Sequence, residues 1–287
     1  MTRPFPRSAT YADMANTAPQ HTGPGQQTWI TRGGRFVVAV TQAEAGATLH
    51  RDNEADEYIV LLPHSAARLD ASGVQQDLTA ESLTIVPPGS STLTALAPGL
   101  IVRVFAPSAQ DLLEQASNRE SYQDDAPELA PNLPWPPPAN GYRIRSYALK
   151  DYLRTDTNMR LFRTRRLMVN VLAKRTVPRD IRALSPHQHT DFEQGSLVIQ
   201  GRYMHHLRYP WTKNMEQWVE DEHVEIGAPS LTVIPAQVIH TSRNLSEGDS
   251  WLIDIFGPPR LDFSRKPGLV CNADEYPMPE GTSPLPA

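Results

Sequence analysis

The sequence predicts an all-β chain made of two similar halves. Three observations carry that reading. Short apolar runs rich in Val, Ile, Leu and Thr recur at a spacing of about ten residues, broken by turn residues, which is the pattern of a sandwich or barrel. Ser82-Leu83-Thr84-Ile85-Val86-Pro87 returns as Ser230-Leu231-Thr232-Val233-Ile234-Pro235, from 82 to 230, a period of 148 residues. A repeat that long marks a duplicated domain rather than a solenoid. Between the halves lies a proline-rich stretch ending in Pro134-Trp135-Pro136-Pro137-Pro138.

In chain order, residues 1–27 are polar and carry several prolines, and they read as a flexible N-terminal arm. A first barrel is expected over 28–117. Its strands are Phe36–Val40, Ala47–His50, Glu57–Leu62, Ala66–Leu69, Leu83–Val86, Thr92–Thr94 and Leu100–Phe105. Ser108 is placed to cap a short helix running to Ser117. Residues 118–141, starting at Asp124-Asp125-Ala126-Pro127, form a linker whose proline run is extended and semi-rigid, suited to holding two domains at a set distance. A second barrel is expected over 142–258, with strands Leu167–Leu172, Ser196–Arg202, Arg202–Leu207, Ser230–Pro235, Val238–His240 and Ser250–Phe256. The remainder, 259–287, is an extended tail that wraps a barrel or a partner.

Composition narrows the classes. The chain has 287 residues, a hydrophobic share of 39% and a charged share of 21%, so each half can bury a core. A net charge of -5 gives no broad attraction to nucleic acid or anionic lipid. The single cysteine, Cys271, forms no intrachain disulfide. No apolar h-region and no run of about 18 apolar residues is present, so the expectation is a soluble cytoplasmic protein without membrane or nucleic-acid partners. The 27 prolines, about twice the usual share, favour turns over helical bundles.

The chemistry concentrates at His187-Gln188-His189. Two histidines at i and i+2 on a strand share one face. His240, arriving from another strand, can meet them at one metal ion. Gly201 closes the first segment. Gly227, then seven residues to Pro235, then His240 and Asn244 form the second. These spacings resemble the cupin superfamily, whose two motifs are written G-x5-H-x-H-x3,4-E-x6-G and G-x5,7-P-x-G-x2-H-x3-N. The resemblance covers residues 143–258 directly and 30–106 through the repeat. It implies a jelly-roll fold in each half, a bicupin. It also implies a divalent metal on His187, His189 and His240, completed by Glu193 or Gln194.

The departures are specific. Ile181 stands where the motif begins with glycine, and Gln237 replaces the glycine after Pro235. Counting three residues past His189 reaches Glu193, whereas counting six back from Gly201 reaches Gln194. A carboxylate better offsets the ion's charge in a desolvated pocket, which favours Glu193. In the first half His50, Asp52 and Glu57 stand at the first motif's ligand positions, and Thr92 replaces the second motif's histidine. That half is expected to be structural.

Further residues are candidates around this site. His205 and His206 follow the Gly201 turn, and alternation sends one of them inward as a proton-handling or catalytic group. Arg160, Arg163, Arg165 and Arg166 form a basic run from which one arginine could grip a carboxylate. Tyr209, Trp211 and Trp218 could roof a pocket, and Asp191 and Asn244 could orient the ligating imidazoles. The resemblance then implies open-coordination metal chemistry on a small-molecule substrate. With Fe(II), the favoured ion, that is a dioxygenase acting on an enol, diketone, phenol or thiol. With Mn, Zn or Ni it is an isomerase or lyase on a small acid or sugar, and a non-catalytic metal-binding protein is the third possibility. Cupins commonly dimerise through strand exchange, so a homodimer is expected.

Overall fold

The structure, a computed structural model, describes residues 6–124 and 126–282. Residues 1–5 of the expected arm, 283–287 of the expected tail and Asp125 of the linker lie outside the described residues. The first half contributes β1 (Thr10–Asp13), β2 (His21–Gly23), β3 (Gln26–Arg32), β4 (Val37–Ala43), β5 (Thr48–Glu54) and β6 (Tyr58–Leu62). It continues with β7 (Ala67–Ala71), β8 (Val74–Leu78), β9 (Ser82–Val86), β10 (Gly89–Ala95), β11 (Gly99–Phe105) and the short helix α1 (Gln110–Gln115). The second half contributes β12 (Arg145–Ala148), β13 (Leu161–Arg163), β14 (Met168–Val171), β15 (Gln194–Gln200) and β16 (Arg202–Arg208). It ends with β17 (Glu222–Gly227), β18 (Ser230–Ile234), β19 (Ile239–Asn244), β20 (Trp251–Phe256) and α2 (Leu261–Ser264).

Each half is two antiparallel sheets facing one another. The first pairs a seven-stranded sheet, β12-β9-β6-β11-β4-β3-β2, with a four-stranded sheet, β5-β10-β7-β8. The second pairs a six-stranded sheet, β1-β18-β15-β20-β14-β13, with a three-stranded sheet, β17-β16-β19. The all-β, two-barrel architecture expected from the repeat is present.

The two large sheets pack on each other. Ile59, Leu61, Leu83, Ile85, Val102 and Val104 of the first half share one apolar cluster with Val169, Leu197, Leu231, Val233, Ile253 and Ile255 of the second. Each such side chain taken out of water contributes about 1.5–3 kcal/mol. The barrels are therefore joined face to face, and the linker is not a spacer. It packs against both halves instead: Arg35 Nε donates to the Ala130 carbonyl (2.9 Å), the Ala130 N–H to the Asp191 carbonyl (2.7 Å) and the Trp135 N–H to the Arg165 carbonyl (2.9 Å).

The opposite faces of these sheets differ, and the difference places the site. In β6, Tyr58, Val60 and Leu62 turn into the first barrel and join an apolar interior with Leu69, Leu93 and Phe105. In β15, Leu197 turns to the inter-barrel core, so Gln194, Ser196 and Val198 turn into the second barrel. Along β6 the first interior is lined with hydrocarbon. The other carries polar side chains.

The expected arm departs from the sequence reading, because residues 10–13, 21–23 and 26–27 are in strands. β1 crosses to the second half and pairs with β18, Tyr11 opposite Thr232. β12, from the second half, pairs with β9 in the corresponding register, Ser146 opposite Thr84. Each copy of the S-L-T repeat is thus covered on its outer edge by a strand from the other half. An uncovered edge would leave a row of unpaired N–H and C=O groups. The tail returns over the same region, where Asn272 Nδ2 donates to the Arg163 carbonyl (2.9 Å) and Tyr276 is buried. Among the described residues no helix is long and apolar enough to cross a membrane.

Candidate metal centre

The three predicted histidines come together. One ring nitrogen from each of His187, His189 and His240 lies within 4.8 Å of the others, and no Asp, Glu or Cys among the described residues joins them within that span. The H-x-H segment is not on a regular strand. It is an extended stretch in which His187 bridges His240 through two backbone bonds, His240 N–H to the His187 carbonyl (2.7 Å) and the reverse (3.0 Å). The Gln237 N–H donates to the His189 carbonyl (2.6 Å). Gln237 takes a φ of 67°, a left-handed turn that a glycine would adopt more easily, at the position where the motif is written with glycine. Gly201 has a φ of 84°, and a Cβ there would stand 2.8 Å from the Ser250 Cβ, which explains the glycine between β15 and β16.

The imidazoles are arranged to bind a cation. His187 Nδ1 lies 2.9 Å from the Ser185 carbonyl and His240 Nδ1 lies 2.9 Å from the Val238 carbonyl. A carbonyl only accepts, so in each ring Nδ1 carries the proton and Nε2 keeps its lone pair. The His240 Nε2 is buried without a partner. Burial, reinforced by the neighbouring His240, Arg260 and His187, lowers the His189 pKa to about 2. Burial lowers that of His240 to about 4. Both are neutral near pH 7. A divalent metal satisfies these buried lone pairs, and the residues present fit one.

Contrary to the expectation from charge, Glu193 is not part of this cluster. It directly precedes β15 and its side chain points the other way. Its Oε2 accepts from the Gly34 N–H (2.6 Å) and its Oε1 from the Tyr122 hydroxyl (3.0 Å). Glu57 does the same in the other half, accepting from the Tyr276 hydroxyl (2.7 Å), with the Arg165 backbone N–H as a further donor. Both glutamates tie a barrel to a segment from elsewhere in the chain, so Glu57 is not an acid of a vestigial site either. Gln194, one residue on, is the side chain that faces the cavity. Its Nε2 donates to Asp254 Oδ1 (3.0 Å), leaving Oε1 without a protein donor.

A cavity of about 310 Å³ opens beside the cluster. His187, His240 and Gln194 line it together with Asp254, Arg175, Arg179 and Arg260, and its apolar wall includes Leu252, Phe256 and Phe263. Burial pushes the Asp254 carboxyl up to about 7 against the bonds from Asn170 and Ser196 and the charge of Arg260. Arg260 is stacked on Phe263, 3.6 Å from its centroid, and bound to Asp262. Its Nη1 stands 3.5 Å from His189 Nε2. A second hollow of about 600 Å³, between linker and tail, shares His189 and Arg260.

His205 is inside the barrel, with Nδ1 2.7 Å from Ser242 Oγ and Nε2 unpartnered, but it is not on the cavity wall. His206 is on the outer face, with Nδ1 2.8 Å from the His223 Nδ1, and so is not brought to the site. Arg160 donates to the carbonyls of Leu149, Val171 and Leu172, and Arg163 to that of Tyr276. Arg165 donates to the Trp135 carbonyl, and Arg166 pairs with Asp56 (2.9 Å). All four serve packing. Trp211 and Trp218 stack on each other at 4.5 Å in an exposed loop and do not line the cavity. Asn244 donates to the Val177 carbonyl (2.7 Å), not to a histidine, and the Asp191 carbonyl receives the linker.

The sequence reading missed Asp254, Arg175, Arg179 and Arg260. Asp254 had a signal, a lone charge inside the apolar strand Trp251-Leu252-Ile253-Asp254-Ile255-Phe256. Arg260 had none, because it follows Pro258-Pro259 in what reads as tail.

No family model and no curated protein matches the sequence. Solved structures do match the fold. An oxalate decarboxylase from Lactobacillus farciminis, solved as a formate complex, superposes with a TM-score of 0.58 at 12% identity, over 87% of this chain and 86% of its own. AerE from Microcystis aeruginosa gives 0.55 at 12% identity over 83% and 94%. A cupin 2 conserved barrel domain protein from Leptotrichia buccalis gives 0.50 at 5% identity over 87% and 96%.

Proposed function

We propose, taking as premise that this chain has the two-barrel cupin fold, that it is a metal-dependent enzyme acting on a small organic acid in the second barrel. One observation carries the reading: His187, His189 and His240 converge on one point, and His187 and His240 line a cavity that also holds three arginines. Neutral ligands leave the charge of a divalent ion uncompensated, so an anionic substrate is the natural further ligand. Arg175, Arg179 and Arg260 would meet its carboxylate, and Leu252, Phe256 and Phe263 would exclude water from the rest.

His187, His189 and His240 would hold the metal, with the Gln194 oxygen as the nearest candidate for a fourth ligand. A redox-active ion such as Fe(II) supplies dioxygen chemistry when bound there, which keeps the dioxygenase reading first. The proton-handling role moves from His205 and His206 to Asp254, a carboxyl on the cavity wall with a pKa raised to about 7 by burial. Asp254 also favours a second reading, a Mn, Zn or Ni lyase or isomerase, since such reactions require a group that takes and returns a proton near neutral pH.

Metal analysis and oxygen uptake on a panel of small carboxylic acids separate the two. Stoichiometric iron with substrate-dependent oxygen consumption supports the dioxygenase. Another metal, with turnover but no oxygen uptake, supports the lyase or isomerase. Absence of metal and of turnover contradicts both. In either case Arg260→Ala is expected to raise KM roughly ten- to a hundredfold, the value of one charged hydrogen bond, about 1.5–3 kcal/mol. An unchanged KM would remove Arg260 from substrate binding.

A further inference from the structure

We propose that the first barrel, although it has no histidine cluster among the described residues, holds a small monocarboxylate on Arg103. The two barrels can be superposed strand by strand through their ladders. Thr84, Val60 and Arg103 stand side by side on β9, β6 and β11, as Thr232, Ser196 and Asp254 do on β18, β15 and β20. Arg103 therefore occupies the position that Asp254 holds in the second barrel. The sequence carries the same exchange, Leu100-Ile101-Val102-Arg103-Val104-Phe105 against Trp251-Leu252-Ile253-Asp254-Ile255-Phe256. His50 and Thr92 face each other across β5 and β10 as His187 and His240 do.

The environment of Arg103 is unusual for a buried cation. The residue is 6% exposed, its Nε has no partner, and no acceptor among the described residues bonds its guanidinium. The nearby carboxylates are engaged elsewhere. Arg51 donates to both oxygens of Asp111 (2.6 and 2.9 Å) and to Glu54. The Tyr58 hydroxyl is bonded to Ser91 (2.8 Å), and the Phe105 ring centroid lies 5.8 Å from the guanidinium. Burial lowers the Arg103 pKa only to about 10, so it stays charged at neutral pH. An unpaired buried charge is strongly unfavourable unless something answers it. Here Arg103 lines a cavity of about 350 Å³ with His21, His50, Thr28, Ile30 and Leu49, room for a small ligand.

The chemistry selects the ligand. A guanidinium fork matches the two oxygens of a carboxylate. Arg51, Glu54 and Asp111 all act on the Arg103 charge and together carry one negative charge, which disfavours a dianion such as phosphate. Ile30 and Leu49 offer hydrocarbon contact to the rest of the molecule.

Calorimetry with benzoate and with inorganic phosphate tests this. It is run on a chain whose second cavity is silenced by Arg175→Ala and Arg260→Ala. One benzoate per chain is expected, with phosphate at least tenfold weaker. Adding Arg103→Met should weaken benzoate by about tenfold or more. It should also raise the ligand-free Tm, because an unpaired buried cation is gone, and abolish the rise in Tm that benzoate gives the parent. Arg103→Lys, which keeps the charge if the methionine variant does not fold, should weaken benzoate severalfold. Failure of the parent to bind benzoate, phosphate binding ahead of benzoate, or benzoate affinity unchanged by either Arg103 substitution would overturn the proposal.

Discussion

Replacing His240 with alanine is expected to strip the protein of its metal while leaving its fold in place. Metal binding by four ligands is worth roughly 10–16 kcal/mol, so one ligand accounts for roughly 2.5–4 kcal/mol, a loss of about a hundredfold or more in affinity. The backbone of His240 keeps its two bonds to His187 in the variant, because neither uses the imidazole. Removing the ring takes away a buried nitrogen that has no protein partner but also the Nδ1–H bond to the Val238 carbonyl, so the two effects oppose and the metal-free variant should still fold. Elemental analysis of protein purified without added metal, with circular dichroism as the control for folding, reads both effects. Full metal content in His240→Ala would show that the ion lies elsewhere.

Glu193→Ala should do the reverse, lowering stability while leaving the metal bound. The substitution orphans the buried Gly34 N–H and the Tyr122 hydroxyl and leaves a hole between the barrels. Breaking a buried, hydrogen-bonded carboxylate of this kind costs about 3–5 kcal/mol. Glu193→Gln, which retains a carbonyl for Gly34, should cost less. The twin substitution Glu57→Ala should destabilise in the same way, through Tyr276. Thermal or denaturant unfolding measures the first effect and metal stoichiometry the second. Loss of metal from folded Glu193→Gln would return that residue to the coordination sphere.

These two residues also show what sequence spacing can and cannot resolve. The histidines were legible because their spacing, together with Pro235 and Gly201, is set by local turns and by the alternation of extended backbone. The choice between Glu193 and Gln194 was not, because one residue of register decides which face a side chain takes. β15 begins at Gln194 with Gln194, Ser196 and Val198 inward, and that start is fixed by pairing to β18 and β20, far away in sequence. The same holds for His205 and His206: alternation required one inward, and the ladder chose His205.

What the sequence concealed is mostly long-range. Nothing local in Thr10–Asp13 announces that it will pair with Ser230–Ile234, or in Arg145–Ala148 that it will pair with Ser82–Val86. The strand exchange that the resemblance associates with dimers is made here between the two halves of one chain. The arginines of the cavity were hidden for a related reason, since Arg175 and Arg179 lie between strands and Arg260 beyond the last one. Asp254 and Arg103 were visible as single charges within apolar strands. Their opposite signs at one ladder position distinguish the two barrels.

Diffraction from crystals of the protein as purified, recorded on both sides of the absorption edge of its metal, tests the central claim most directly. The account predicts one anomalous peak per chain, about 2.0–2.2 Å from an Nε2 of each of His187, His189 and His240. It predicts no peak in the first barrel and Glu193 still bound to Gly34 and Tyr122. A peak at Glu193 or beside His50, or three histidines with no metal after growth in metal-replete medium, would contradict it.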